Sequence, residues 1–258
     1  MPCFTNVSFF ANTLQEPLPV FYVPTYLNLP YNFLFSLPVY DEPYPGPLSS
    51  YIRQLIEQGE HQQLDFKFEI NDARKIARTL SAFSNSEGGK LLIGVKDNGK
   101  ITGVKSEEEY HMMEAAAQMY CKPAVTFKVR KWTILGKTIL EVDIPKTENR
   151  PSLARDEKNR WKAYVRVADQ NLLANRVILK VWKKEKRKKG ILLEYSSAEK
   201  VLMDYLTSNE FITLSKTCKI CKIHPRQAED LLSDLLVLEV IQAHLSEKWV
   251  RYSLAPVV

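Results

Sequence analysis

Apolar residues recur along this chain at two spacings, and the places where one gives way to the other mark its elements. Tyr51, Ile52, Leu55 and Ile56 fall at helical spacing behind Ser49 and Ser50, either of which can cap a helix, and Gly59 ends it. Over residues 63–68 the period drops to two, with Leu64, Phe66 and Phe68 pointing one way and Asp65 and Lys67 the other, as in a half-buried strand. Helical spacing returns behind a cap at Asn71. Ala73, Ile76, Ala77, Leu80 and Phe83 make one side, and Arg74, Lys75 and Arg78 the other. Gly88 and Gly89 stop that helix. Residues 91–95 are an apolar run expected as a buried strand. Asn98-Gly99 predicts a type I′ hairpin turn that returns through residues 101–104.

Further on, the pattern predicts a helix over 107–121, then a hairpin of 125–132 and 138–144 turning near Gly136. Residues 149–159 are polar and loop-like, 161–167 alternate as a strand, and 172–182 are expected as a helix closing a domain. The run Lys183 to Gly190 holds six basic residues and one acid, which repel one another and predict a solvated linker. Residues 196–206 are helical, two helices meet at His224-Pro225, and 242–254 have the make-up of a two-stranded wing. Helix, helix-turn-helix and hairpin in that order predict a winged helix.

Composition changes this picture at the N-terminus. Nine of the 14 prolines lie before residue 48, leaving no room for a helix or a central strand, so residues 1–48 are expected to be irregular or disordered. The expected organisation is therefore an irregular segment over 1–48, an α+β domain over 49–182, a basic linker over 183–195 and a winged helix over 196–258. The net charge is +6, but residues 1–52 contain no Lys or Arg and three acids, so that segment is −3 and the remainder +9. That concentration favours a polyanionic partner. The four cysteines are too few and scattered for a disulfide framework, which fits a reducing cytoplasm. No apolar run approaches the roughly 18 residues that crossing a bilayer takes, so no membrane partner is expected.

The candidate chemistry centres on the second predicted element. Asp65 and Lys67 share a strand face, Glu60 lies across a turn, and Asp97 ends the 91–95 strand. If the two strands are neighbours, three carboxylates converge beside one lysine, which suits Mg²⁺ or Mn²⁺ and hydrolysis of a phosphodiester with Lys67 offsetting charge. The alternative is a set of surface carboxylates paired with Lys67 and nearby arginines. Gly88, Gly89 and Lys90 do not form a P-loop, because the glycines follow a helix instead of preceding one. Asp97 and Gly99 resemble an adenine-binding Asp-x-Gly, though a tight hairpin accounts for them equally.

Nucleic-acid binding draws on a wider set of residues. Arg74, Lys75 and Arg78 form a basic helix face, and Arg130, Lys131, Lys162 and Arg166 add charge on strands. Pro225 at a first helical position puts Arg226 and Gln227 where base edges or phosphates would lie, while Ala228, Leu231, Leu232 and Leu235 face a core. Cys218, Cys221 and His224 have zinc-like spacing without a fourth ligand nearby, and core packing is the expected role of the cysteines. His111 and His244 fit no pattern.

EHQQLDFK at 60–67 and AFSNSEGGKLLIGVKDNGKITG at 82–103 resemble the signature of the Schlafen AlbA-like domain, and the resemblance extends over about residues 50–182. It implies a mixed sheet-and-helix domain with a DNA-binding role, of the kind found in bacterial proteins labelled transcriptional regulator or ATP-binding. For ATP it would implicate Gly88, Gly89, Asp97 and Gly99. In animal Schlafen nucleases the domain bears three catalytic carboxylates, and Glu60, Asp65 and Asp97 match those positions in order. The second is usually Glu, so Asp65 holds its carboxylate one methylene further back. Those enzymes duplicate the domain, so a nuclease built on this single copy implies a homo-oligomer and structured RNA as substrate.

Overall fold

Among the described residues, two four-stranded sheets and a terminal hairpin are strung along helices whose apolar faces the sequence already marks. The computed structural model describes residues 48–186 and 196–256, which lie within one compact unit. The expectations for residues 1–47 and for the core of the basic linker, 187–195, fall outside the described residues.

Helix α1, Leu48–Gln58, ends at Gly59, whose φ is +70°. It begins at Leu48, so Ser49 and Ser50, expected at its cap, lie within its range. Strand β1, Leu64–Lys67, follows. Helix α2, Ala73–Asn85, is capped by Asp72, whose carboxylate accepts from the Arg74 amide; the expected cap, Asn71, is one residue too early. Strand β2, Gly89–Ile93, runs parallel to β1 with Asp65 level with Leu91. Gly89 is required there by packing: a Cβ would stand 2.5 Å from the Phe83 ring.

The turn after β2 differs from the expected type I′. Gly99 donates to the Lys96 carbonyl and has φ +76°, but Asn98 does not have a positive φ, so only one left-handed residue is used. The return over 101–104 is a bridge from Val95 to Ile101, not a strand. After α3, Glu108–Met119, the short β3, Cys121–Lys122, leads to the hairpin of β4, Lys128–Ile134, and β5, Lys137–Ile144. There Leu135 and Gly136 both have positive φ, the type I′ arrangement, at the expected Gly136 turn. The first sheet has the order β1-β2-β5-β4, with β2, β5 and β4 antiparallel.

The polar segment 149–159 contains a strand that alternation did not reveal, β6, Leu153–Arg155. With β7, Trp161–Val167, and β8, Gln170–Leu173, it makes a second sheet of order β3-β6-β7-β8. Leu172 and Leu173 thus lie in a strand, and the closing helix α4 starts later, at Arg176–Glu185, capped by Asn175. Lys183 and Lys184, expected in the linker, belong to that helix.

Helix α2 lies between the two sheets. Its apolar side joins Leu91, Ile93, Val129 and Val142 of the first sheet and Ala154 and Tyr164 of the second in one core. Toward the second sheet, Asn85 accepts from the Ser152 amide and donates to the Ser152 and Tyr164 carbonyls, satisfying buried backbone groups. On the other face of the first sheet, Ile52 of α1 packs with Leu64, Phe66, Leu92 and Trp132. Glu141 is 1% exposed there. It accepts from the Tyr51 hydroxyl at 2.8 Å, Trp132 Nε1 at 2.8 Å and Lys90 Nζ at 2.9 Å. Burial first, and then this carboxylate, pushes the Tyr51 hydroxyl up to about 12.

The C-terminal part runs α5, Ser197–Ser208, α6, Leu214–Cys221, α7, Pro225–Val237, then β9, Ile241–Leu245, and β10, Val250–Leu254, an antiparallel pair. Ser196 caps α5, and Pro225 opens α7. Leu231, Leu232 and Leu235 join Leu202, Leu206, Ile241 and Tyr252 in one core, and Ala228 is fully buried. Val177 of α4 sits in this core too, while Trp182, one turn and more along, packs with Ala163, Val165 and Leu172 of the second sheet.

Candidate functional site

Strand β1 places Asp65 and Lys67 on the α2 face of the first sheet. Asp65 is 3% exposed, so the carboxylate is not a surface group. What compensates it is Arg166 of β7, also 3% exposed, whose Nη2 donates to Asp65 Oδ1 at 3.2 Å. The same guanidinium donates to the His61 and Leu64 carbonyls and to Asn171 Oδ1, and it lies 5.0 Å from the Phe83 ring centroid. A buried ion pair tied into this many hydrogen bonds fixes the seam between the two sheets. Arg166, expected as exposed strand charge for phosphates, is not available to them, because the aspartate and the ring enclose it.

Lys67 Nζ stands 2.9 Å from Asp65 Oδ2 and 3.9 Å from Glu60 Oε1. Asp65 Oδ2 nonetheless has no aligned donor, so the attraction from Lys67 there is Coulombic and not directional. Glu60 Oε1 accepts from the Phe66 amide at 2.8 Å. Burial raises the Glu60 carboxyl from its ordinary 4.5 to about 7. The neighbouring Asp65 carboxyl adds to the rise, and the Phe66 amide and Lys67 oppose it. Near neutrality the Glu60 carboxyl is therefore partly protonated.

Asp97 does not join them. It is exposed in the turn beyond β2, well past Leu91, the residue level with Asp65. The oxygens of Asp65 face two cations and one of Glu60 is held by an amide, whereas a divalent cation needs several oxygens turned toward it. Among the described residues no group of three or more His, Cys, Asp or Glu is placed to hold a metal. The arrangement as it stands does not fit Mg²⁺ or Mn²⁺.

The glycines serve the chain itself. Gly88 has φ +70°, and a Cβ there would stand 2.7 Å from the Ile144 carbonyl oxygen; a Cβ on Gly99 would stand 2.8 Å from Ile56 Cγ2. The close approach at each is to neighbouring backbone or core.

The basic residues divide by face. Arg74 and Arg78 each rest on an aromatic ring, Arg74 5.6 Å from the Tyr120 centroid and Arg78 5.3 Å from that of Tyr164. Lys75 is exposed between them, and Lys162 lies two residues before Tyr164 on the same face of β7. Among the described residues none of these four takes part in an ion pair. Arg130 alternates with Val129 and shares the side of Trp132, the opposite face of the first sheet, so it cannot extend the α2 surface. Lys131 pairs with Glu107 at 3.4 Å.

At the start of α7, Arg226 and Gln227 are both exposed. Gln227 Oε1 accepts from the His224 amide in a capping box, and His224 Nδ1 accepts from the Arg226 amide, which engages that ring nitrogen. Cys221 packs against the C-terminal core with its thiol 3.4 Å from the Ala198 carbonyl. Beyond its first turn α7 is held by α4. Lys180 pairs with Glu229 at 3.3 Å and Asp230 at 2.8 Å, and Lys184 with Asp234 at 2.7 Å. Lys180 also donates to the Arg226 carbonyl.

Sequence reasoning missed the ring partners of the basic groups. Tyr120 and Tyr164 lie far along the chain from α2, and only the packing brings them under it. On the hairpin, Arg251 lies 4.4 Å from the Trp249 ring centroid and 5.9 Å from that of Phe211, which meets His244 edge-on at 5.1 Å. The alternation of Trp249, Arg251 and Ser253 against Val250, Tyr252 and Leu254 carried that signal.

With this geometry in place, comparison with known proteins gives a family for the first part of the chain. Residues 60–175 match the family model described as Schlafen, AlbA_2. That segment is a Schlafen AlbA_2 domain, as the motifs at 60–67 and 82–103 led one to expect. Among solved structures, the DIP2311 protein from Corynebacterium diphtheriae is similar at 16% identity and a TM-score of 0.41, over 62% of this chain and 34% of its own length. The N-terminal domain of a RecG-related protein from Nitrosomonas europaea is similar at 17% identity and a TM-score of 0.33, over 57% of this chain and 95% of that domain. This chain thus spans 34% of the length of the Corynebacterium protein. No curated protein matches. None of the described helices is long and apolar enough to cross a membrane.

Proposed function

We propose that the protein binds nucleic acid, with duplex DNA as its partner, in the manner of a transcriptional regulator. The observation that carries this reading is the α2 surface: Arg74 and Arg78 seated on Tyr120 and Tyr164, with Lys75 and Lys162 beside them and no carboxylate paired to any of the four among the described residues. A stacked guanidinium is held in place by its ring without losing its charge, so less freedom is lost when a phosphate arrives. The Schlafen AlbA_2 match supports a nucleic-acid-related role. We read α5, α6, α7 and the terminal hairpin as a winged helix, in which the exposed Arg226 and Gln227 open the helix that would lie toward the duplex.

The test is duplex affinity across a salt series for the intact chain and for an Arg74→Glu, Lys75→Glu, Arg78→Glu variant. Wild-type affinity is expected to fall steeply with salt. Loss of three phosphate contacts should lower the slope of log K against log salt by about 2–3. Salt-independent binding, or an unchanged slope in the variant, overturns the reading. Cleavage of structured RNA in Mn²⁺ that disappears with Asp97→Ala would replace it with a metal-dependent nuclease.

A further inference from the structure

We propose that the outer face of the terminal hairpin is a stacking platform for unpaired bases of a single-stranded nucleic acid. It rests on the reading of the protein as a nucleic-acid binder and adds a second site with a different ligand form. Trp249, Arg251 and Ser253 alternate on one face of β10, and the cross-strand register sets Arg251 opposite His244 and Ser253 opposite Gln242. The inner face, Val250, Tyr252 and Leu254, is committed to the core. Phe211 is brought alongside by the Ile212–Tyr252 bridge, closed by two backbone hydrogen bonds of 2.8 Å.

The result is a ladder in which the Arg251 guanidinium lies between the Trp249 and Phe211 rings, with His244 edge-on at its end. Trp249 is 41% exposed. Its position is set by a closed turn, in which the Ser246 amide donates to the Trp249 carbonyl and the Trp249 amide to Ser246 Oγ. An exposed indole held this rigidly costs little to order on binding. Arg251 takes part in no ion pair among the described residues, and Lys248 adds a second positive charge at the turn against one acid, Glu247.

Two features point to bases and not to the grooves of a duplex. Rings and a stacked guanidinium offer π faces to any base, while the ammonium and guanidinium groups suit the flanking phosphates. In addition, past the first turn that carries Arg226 and Gln227, α7 is paired through Glu229, Asp230 and Asp234 with Lys180 and Lys184 of α4. Among the described residues, no side chain of the hairpin takes part in such a pair.

The experiment uses the full chain and a short oligo(dT), followed by tryptophan fluorescence and by affinity at fixed salt, with duplex DNA measured in parallel. Binding is expected to quench fluorescence, and Trp249→Ala and Arg251→Ala should each weaken oligo(dT) affinity about 5- to 100-fold. Trp249→Phe should keep most of the affinity while losing the quench. Oligo(dT) affinity unchanged in both alanine variants overturns the platform and leaves the duplex reading standing. Duplex bound but oligo(dT) not bound does the same, whereas a wild-type chain that binds neither overturns both.

Discussion

Asp65 shows how little a strand position says about its surroundings. A period of two assigns it to a face, and the structure adds what no local pattern contains: a cover of α2 and an arginine from a strand a hundred residues on. Removing that arginine leaves the buried carboxylate without its one aligned donor and with Lys67 as its remaining cation. Arg166→Met is expected to cost about 3–5 kcal/mol in urea denaturation, and Asp65→Asn in the same background should recover part of the loss. Glu60 makes a separate prediction. Its folded pKa, about 7, lies above the ordinary 4.5, so the folded state holds its proton more tightly than the unfolded chain does. The stability this contributes is fully present below pH 4.5 and is lost as pH rises through 7. Glu60→Gln should flatten the pH dependence of stability across that window, read as urea midpoints at stepped pH; an unchanged profile would mean the proton sits elsewhere.

At the scale of elements, the sequence was informative where one local rule decides. The strand over 161–167 coincides with β7, Pro225 opens α7, and the helix of 73–83 is α2 with its apolar side buried. It was least informative where two rules competed. Leu172 and Leu173 fit a helical pattern equally well, yet β7 needs an edge partner and takes them into β8, pushing the start of α4 to Arg176. Asp72 displaced Asn71 as cap because only its carboxylate reaches the Arg74 amide. The carboxylate site was half legible: Glu60 and Asp65 are together, but the turn after β2 carries Asp97 away. The pairing of α4 with α7 was invisible in either helix alone, each looking like a charged solvent face. Lys180→Glu should destabilise the fold by about 1–3 kcal/mol, because Glu229 is almost completely buried and loses its nearest cation. Combining it with Glu229→Lys should restore part of that. A double-mutant cycle with no coupling would show the pair to be energetically idle.

For the whole molecule, the uneven charge noted in the sequence has a location. Among the described residues, cations outside any ion pair include Arg74, Lys75, Arg78 and Lys162 around α2 and Lys248 and Arg251 on the terminal hairpin, while Lys180 and Lys184 of α4 are spent on the acids of α7. Net charge therefore overstates what a polyanion meets, and the salt slope measured on duplex DNA will count the first group and not the last.

Helix α4 has a consequence for how such a protein can be taken apart. Its Val177 fills one core and its Trp182 another. A protease cutting in the basic run after Glu185 would find a nick that leaves both pieces clamped together, each carrying part of the other's interior. A recombination event joining the Schlafen AlbA_2 domain to a new neighbour at that same point would import a helix already shaped for the partner left behind. The exchangeable unit in this architecture begins before Arg176, upstream of the place where the charge run invites the cut.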